Sequence, residues 1–190
     1  MKYSMLSVAA FVASSLASPA YLRGEPEKPG PITVDNKLNT DVRLEIIPIQ
    51  GHEFEAYDAY VDIKGGQAYT IEDLPPSADL KLRVLTPIPG QGPVDVIYRS
   101  LHPGPDSPFR YWINRGSPHF VFPGVVDVQP KPQTAQCYRL TSYPNRLLPP
   151  PPFCDAGTRL LITLCQEEEG GVPCPPIHRP PPTRYEAEWL

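Results

Sequence analysis

The stretch VRLEI at residues 42–46 places an apolar side chain at every second position, with a charged side chain between. Successive side chains of a β-strand point to opposite faces, so this alternation predicts a strand with one face in a core and the other in water. The same pattern recurs at residues 59–64, 80–84 and 94–99. Short strands separated by glycine- and proline-containing turns predict a mainly β protein, built as an antiparallel β-sandwich or barrel.

Proline is the unusual component of this chain, at 28 of 190 residues. Because proline lacks a backbone N–H and fixes φ, it breaks helices and is excluded from central strands, so long helices are not expected. We expect Pro48 to end the strand at 42–46. Pro130 and Pro132 are expected to end the first block of strands. Residues 103–119 hold four prolines around the sequence FRYWI, which predicts a long loop that docks an aromatic plug.

The clearest local prediction is a β-hairpin across residues 59–71, AYVDIKGGQAYTI. Two β-rich runs meet there at Gly65-Gly66, and a glycine pair is a favoured connection between antiparallel strands. Two further strands are predicted at 137–141 and 159–165, on either side of a loop with four consecutive prolines.

The first twenty residues carry the features of a secretory signal peptide. Lys2 supplies the positive charge, residues 5–13 are apolar, and S-L-A ending at Ala17 gives the small-x-small pattern of a cleavage site. The apolar run is too short for a membrane-spanning helix, which needs about 20 residues. We therefore expect residues 1–17 to be removed, with cleavage after Ala20 as the alternative, and the protein to be secreted and extracellular.

Composition divides the remainder of the chain into three parts. Residues 18–31 are expected to be a flexible N-terminal segment, and residues 32–166 a β-rich domain that disulfides staple from residue 137 onward. Residues 167–190 are expected to be an extended, proline-rich C-terminal tail.

Charge and hydropathy argue against several classes of partner. The 17 basic and 21 acidic residues are interspersed, without a basic cluster. Nucleic-acid binding usually depends on a concentrated basic surface, so no nucleic-acid partner is expected. No apolar run after the leader approaches membrane length, so no membrane partner is expected. We expect a monomer without a cofactor.

All four cysteines lie in the last third of the chain, at Cys137, Cys154, Cys165 and Cys174. Behind a secretion signal they predict two disulfides. Antiparallel pairing of the two C-terminal strands would join Cys137 to Cys165, whereas pairing in sequence order would join the first two cysteines and the last two. The alternative is a metal site of the last three cysteines with His178, but secreted thiols oxidise and no metal is expected.

No catalytic motif accompanies the titratable residues. His52, His102 and His119 lie in Gly- or Pro-rich loops without a recognisable nucleophile beside them. The acidic residues between 53 and 58 could form a glycosidase pair only if the fold brings two carboxylates together. We therefore predict that the protein is not an enzyme, and keep an extracellular hydrolase with loop-borne carboxylates as an alternative.

Five aromatic residues form the predicted binding surface: Tyr57, Tyr60, Tyr69, Tyr111 and Trp112. Aromatic rings at the rim of a β-domain can stack on sugars or anchor a protein interface. The alternative is that Tyr69 and Trp112 fill the core while the others cover its edges.

The sequence ITVDN at residues 32–36, followed by VRL at 42–44, resembles the opening strands of thaumatin-like and related fungal sandwiches. The cysteine that usually follows this asparagine is absent, and no site residue is carried over from that family. The leader ending in S-L-A-S-P, the chain length and the few cysteines resemble the small secreted proteins of filamentous fungi that are regarded as candidate effectors.

The leader, the strand pattern and the absence of a catalytic motif predict a secreted, non-catalytic binding protein that acts at the cell surface or on a host partner. The partner expected is a protein or a wall polysaccharide. A structural cell-wall protein, with its proline-rich tail as a spacer, is a further alternative.

Overall fold

The computed structural model describes residues 29–49, 60–72, 74, 79–102, 104, 106–116, 122–142 and 148–166. This part of the chain contains no helix and eleven strands, which confirms the predicted mainly β fold. The strands are β1 (Ile32–Asn36), β2 (Val42–Pro48), β3 (Tyr60–Ile63), β4 (Ala68–Ile71), β5 (Asp79–Leu85), β6 (Val94–Ser100), β7 (Phe109–Asn114), β8 (Val125–Lys131), β9 (Leu140–Ser142), β10 (Phe153–Cys154) and β11 (Arg159–Cys165).

Two open sheets form a sandwich rather than a closed barrel. The five-stranded sheet has the order β4-β1-β11-β8-β9, and the six-stranded sheet has the order β10-β7-β6-β5-β2-β3. Most neighbours are antiparallel, but β1 lies parallel to β11, so the first strand pairs with the last. Parallel neighbours require a long connection, and here nearly the whole domain provides it.

Alternation along each strand builds the core between the sheets. In β2 the side chains of Val42, Leu44 and Ile46 are buried while Arg43 is exposed, as the period of two predicts. The largest fully buried side chains come from both sheets: Ile32, Leu44, Ile71, Leu80, Leu82, Phe109, Tyr111, Phe122, Leu140, Leu160, Ile162 and Leu164.

The predicted hairpin at residues 59–71 is wrong. β3 pairs with β2 in one sheet, whereas β4 pairs with β1 in the other, so the Gly65-Gly66 turn carries the chain between sheets. Buried Asn36 holds this crossing, because its Nδ2 donates to the Ile63 carbonyl at 3.0 Å and its own carbonyl accepts from the Gly66 N–H at 2.7 Å. Gly66 has a φ of 77°, which glycine adopts without strain.

Two expectations based on proline are also wrong. The aromatic run of residues 103–119 does not form a docked loop, because Phe109–Asn114 is strand β7 between β6 and β10. Pro130 does not end β8 but lies within it, opposite Leu160 of β11. β9 pairs only with residues 126–128 of β8, so Pro130 has a ladder on one side only, where a missing N–H is tolerated.

Cys137 and Cys154 form a disulfide, with their Cα atoms 4.7 Å apart. Pairing in sequence order is therefore confirmed for the first two cysteines. The pairing of Cys137 with Cys165 is wrong, because β8 separates β9 from β11. Cys165 is also disulfide-bonded, and Cys174 lies outside the described residues. The Cys₃His metal alternative is wrong as well, since Cys154 is engaged in a disulfide.

Several predictions fall outside the described part of the chain. These are the signal peptide at 1–17, most of the segment at 18–31 and the tail at 167–190. Across the described residues, no helix is long and apolar enough to span a membrane.

Candidate functional site

The candidate site is the outer face of the six-stranded sheet, meaning the outward side chains of β3, β2, β5, β6, β7 and β10. Its centre is a cross-strand row in which Ile47 lies opposite Lys81, Lys81 opposite Ile97, and Ile97 opposite Trp112. All four side chains are half-buried, so they support one another and still present part of their surface to solvent. We call this set the central row.

Three arginine–aspartate pairs lie on the same face, each between residues directly opposite on neighbouring strands. The atom distances are 2.8 Å for Arg43 Nε to Asp62, 2.9 Å for Arg83 Nε to Asp95, and 3.1 Å for Arg99 Nε to Asp79. Opposite charges in register contribute only modestly to stability at exposed positions, but they fix the direction of both side chains. The central row therefore lies between ordered charges.

The pKa values of these groups follow from their pairing. The hydrogen bond from Arg43 lowers the pKa of the Asp62 carboxyl, and the same bond raises the pKa of Arg43. The hydrogen bond to Asp95 raises the pKa of Arg83. Arg43, Arg83 and Asp62 therefore remain charged at any physiological pH, and the Asp62 carboxylate acts only as a hydrogen-bond acceptor.

A groove of about 510 Å³ opens at the β2–β3 side of this face. Its charged lining consists of Asp41, Arg43, Glu45 and Asp62. Beside it the Arg43 guanidinium lies 4.5 Å from the centre of the Tyr60 ring, and Tyr60 is 54 % exposed. The groove thus offers carboxylates, a fixed guanidinium and an adjoining aromatic face.

The structure places two of the five predicted aromatic residues on one face, although four strands apart. Tyr60 on β3 and Trp112 on β7 both lie on the outer six-stranded face. Trp112 therefore does not fill the core, as the alternative had it. Tyr69, on β4 of the other sheet, is half-buried and packs against the core, and Tyr57 lies outside the described residues.

The prediction that Tyr111 is a surface residue is wrong. Phe109, Tyr111 and Ile113 point inward from β7, and Tyr111 is fully buried. Its hydroxyl donates to the Tyr138 carbonyl, and burial raises the pKa of Tyr111 far above its usual value. Alternation explains the error, since the neighbour of an outward Trp112 must point inward.

The sequence reasoning missed Ile47 and Ile97 as members of the site. The alternation correctly predicted that the charged residues of these strands point outward. The central row, however, exists only because four strands align in one register. The one available signal was the isoleucine at an outward position of the stretch 94–99, where a polar residue would be expected from the alternation.

Two acidic side chains of the groove are already engaged by neighbouring groups. Asp62 is paired with Arg43, and Asp41 accepts the Gly65 N–H at 3.2 Å. The lowered pKa of Asp62 is the opposite of what a general acid requires. The main chain of His102 is bonded to two serine hydroxyls. The Ser100 hydroxyl donates to the His102 carbonyl, and the His102 backbone N–H donates to Ser107 Oγ.

The remaining catalytic candidates, His52, His119 and the acids between 53 and 58, lie outside the described residues. Within the described ranges, no three histidine, cysteine or acidic side chains gather as a potential metal site.

Comparison with known proteins gives a likeness of fold. No protein-family model and no curated protein matches the sequence. The protein elicitor MoHrip2 from Magnaporthe oryzae is similar in structure, with a TM-score of 0.52 at 18 % identity, over 71 % of this chain and 98 % of that chain. The thaumatin-like xylanase inhibitor TLXI gives a TM-score of 0.49 at 12 % identity, over 72 % of this chain and 99 % of that chain. The elicitor structure confirms the expected likeness to fungal β-sandwiches at the level of the fold.

Proposed function

We propose that this protein is a secreted, non-catalytic binding protein that recognises a partner protein through its outer six-stranded face. The observation that carries this proposal is the central row of half-buried side chains flanked by ordered arginine–aspartate pairs. Protein interfaces combine an apolar, well-packed centre with a polar rim, and tryptophan and arginine are common among their energetic hot spots.

The dimensions of the face favour a protein over a polysaccharide. Six strands at the usual spacing span about 24 Å, which suits a standard protein interface of about 800 Å² on each partner. Tyr60 and Trp112 are four strands apart, or about 19 Å, with charged pairs between them. Two rings so far apart do not form the continuous stacking platform that a neutral sugar chain would use.

Secretion is supported by the leader sequence and by the disulfide between Cys137 and Cys154, which is typical of oxidising compartments. The shared fold with a protein elicitor is compatible with an extracellular role. Mass spectrometry of culture supernatant should find a mature chain that begins at Ser18 and lacks four hydrogens. A secreted chain that keeps its leader or carries free thiols would contradict this.

Binding is tested with the full-length secreted protein immobilised on a sensor surface. Extracellular proteins from the producing culture and from a candidate host are the analytes, and each binder is purified and titrated. Trp112→Ala and Ile97→Ala should each weaken binding by about tenfold or more, as truncation of a hot spot does. Gln129→Ala, at a half-buried outward residue of the other sheet that does not line a groove, serves as the matched control and should bind as the original chain does.

Folded variants of Trp112 and Ile97 that bind with unchanged affinity would contradict the proposed face. Binding of neutral wall polysaccharides with the same sensitivity to Trp112→Ala would assign the face to sugars instead of proteins.

The hydrolase alternative retains one observation in its favour, since Asp41, Glu45 and Asp62 line a single groove. Release of reducing sugar from wall polysaccharides by the purified chain, abolished in Glu45→Gln, would establish it. The structural alternative would be established by retention of the protein in detergent-washed walls.

A further inference from the structure

A second groove, of about 370 Å³, lies on the outer face of the five-stranded sheet. We call it the cationic groove. Its lining residues are Pro31, Thr33, Thr70, Glu72, Lys131, Arg159, Leu160 and Leu161. Because it belongs to the other sheet, it is separate from the outer six-stranded face.

Two exposed cations lie directly opposite each other in this groove, Lys131 on β8 and Arg159 on β11. Like charges at opposite positions of neighbouring strands repel, so such a pair costs stability. Neither residue forms an ion pair within the described part of the chain, and the Glu72 carboxylate of the same groove is not within ion-pairing distance of either. Even with Glu72 counted, the lining of the groove has a net positive charge, and no carboxylate of the described ranges pairs with its two cations.

The other arginines of the strands show how unusual this arrangement is. Three of them, Arg43, Arg83 and Arg99, are paired with the aspartates directly opposite, and exposed Arg110 of β7 forms no ion pair within the described ranges. In the six-stranded sheet Arg110 lies opposite Arg99, which Asp79 neutralises, whereas in the five-stranded sheet neither Lys131 nor Arg159 forms an ion pair with a described residue. The cationic groove therefore offers two adjacent positive charges to an external anion.

The rest of the lining supplies neutral polar and apolar contacts. Thr33 Oγ1 and Thr70 Oγ1 lie 3.0 Å apart and share one hydrogen bond. Two hydroxyl hydrogens are present and only one is used in that bond, so the second can be donated to a ligand. Half-buried Leu161 lies opposite Thr33 and gives the groove an apolar floor.

We propose that the cationic groove binds a carboxylate-bearing sugar residue of an acidic polysaccharide. The Arg159 guanidinium can receive a carboxylate with two parallel hydrogen bonds, and Lys131 adds a second positive charge. The threonine hydroxyls suit sugar hydroxyls, and Leu161 suits the apolar face of the ring. The volume of the groove accommodates a sugar ring and exceeds what a single inorganic anion fills.

The test uses the full-length secreted protein and oligogalacturonides as the probe, with calorimetry as the readout. Inorganic sulfate, inorganic phosphate and a neutral cello-oligosaccharide of matched length are the comparison ligands. We expect the oligogalacturonide alone to bind, with affinity that falls as NaCl is raised. Lys131→Gln and Arg159→Gln should each weaken binding by about tenfold, the usual cost of losing a charge-assisted hydrogen bond.

The matched control is the double variant Lys37→Gln/Lys64→Gln, which removes two cations that lie outside the strands and do not line the cationic groove. It changes net charge as much as Lys131→Gln/Arg159→Gln does, so it should bind oligogalacturonide normally if the groove is the site. Equal loss in the two double variants would show general electrostatic attraction and overturn the proposal. Equal affinity for sulfate, for phosphate or for the neutral sugar would also overturn it, as would the absence of oligogalacturonide binding.

Thermal unfolding gives an independent readout. Without ligand, Lys131→Gln/Arg159→Gln should unfold at the same temperature as the original chain or slightly above it, because it removes a repulsion. Oligogalacturonide should raise the unfolding temperature of the original chain and of the control but not of the groove variant. A groove variant that is stabilised as much as the original chain would contradict the proposed site.

Discussion

Both outer faces of the sandwich carry arginine–aspartate pairs, but they differ sharply in exposure. The most exposed pair of the six-stranded sheet, Arg43 and Asp62, has side chains that are 49 % and 58 % exposed, and the aspartates of its other two pairs are 11 % and 13 % exposed. Beside the five-stranded sheet the side chains of Arg139 and Asp127 are only 15 % and 1 % exposed. Asp127 also accepts a hydrogen bond from Thr141 Oγ1 at 2.7 Å. The buried Arg139–Asp127 pair therefore stabilises the fold, whereas the exposed Arg43–Asp62 pair remains accessible to a partner.

The largest expected effect comes from breaking the buried pair. Asp127→Ala should lower the free energy of unfolding by about 3–5 kcal/mol, because it leaves the Arg139 guanidinium in a largely buried site without its carboxylate. Asp62→Ala is the matched control and should cost far less, because both side chains of that pair are well exposed. Urea denaturation of both variants measures the difference. A comparable loss in the two variants would show that exposure does not separate the faces.

The next effect concerns the point where the two sheets are joined. Asn36→Ala should cost about 2–3 kcal/mol, because the Asn36 amide donates to the carbonyls of Thr40 and Ile63 and accepts from the Leu38 N–H, all in a buried position. Urea denaturation measures the free energy of unfolding of this variant. The control is Asn39→Ala, at an exposed asparagine of the nearby loop. A cost for Asn36→Ala no greater than that of the control would mean that the crossing is held by packing alone.

A smaller effect should appear at alkaline pH on the inner side of the six-stranded sheet. Burial raises the pKa of Tyr98 well above its usual value, so the native state keeps its proton where the unfolded state loses it. The associated stability is present below the unfolded pKa of about 10 and is lost as pH rises further, by about 1.4 kcal/mol per pH unit. Tyr98→Phe should therefore reduce the slope of stability against pH above pH 10, as measured by urea denaturation across that range. An unchanged slope would show that Tyr98 does not contribute.

The smallest effect is expected at the exposed pair of the candidate site. Arg43 lowers the pKa of Asp62, so the contribution of the pair is present above the unfolded pKa of aspartate and disappears as pH falls through the folded value. Because both side chains are well exposed, Asp62→Asn should leave the acid unfolding midpoint nearly unchanged. A clear displacement of that midpoint would indicate that the outer six-stranded face also has a structural role.

Local alternation predicted individual strands well. The strand at 159–165 has the bounds that the sequence indicated, and the outward positions of Arg43 and Glu45 are as expected. Pairing was harder, because an apolar run next to Gly65-Gly66 looks the same whether the chain turns back or crosses to another sheet. The choice depends on Asn36, a residue distant in sequence.

The errors at the candidate site have a similar cause. The prolines around residues 103–119 masked a regular alternation in FRYWI that would have placed Tyr111 inside and Trp112 outside. The arginine–aspartate pairs and the central row could not be predicted from any one strand, since they depend on register between strands. Such a surface is therefore built jointly by residues that are distant from one another in sequence.

The pairing of β1 with β11 has a consequence for biogenesis. In the five-stranded sheet, β11 lies between the pair β4-β1 and the pair β8-β9. These two pairs therefore cannot join into one sheet until β11, the final strand of the domain, has been synthesised. We therefore expect the five-stranded sheet to remain incomplete for most of the translation of the chain. Late completion of the sheet suits the proposed secretion, because a secreted chain passes through the export channel unfolded.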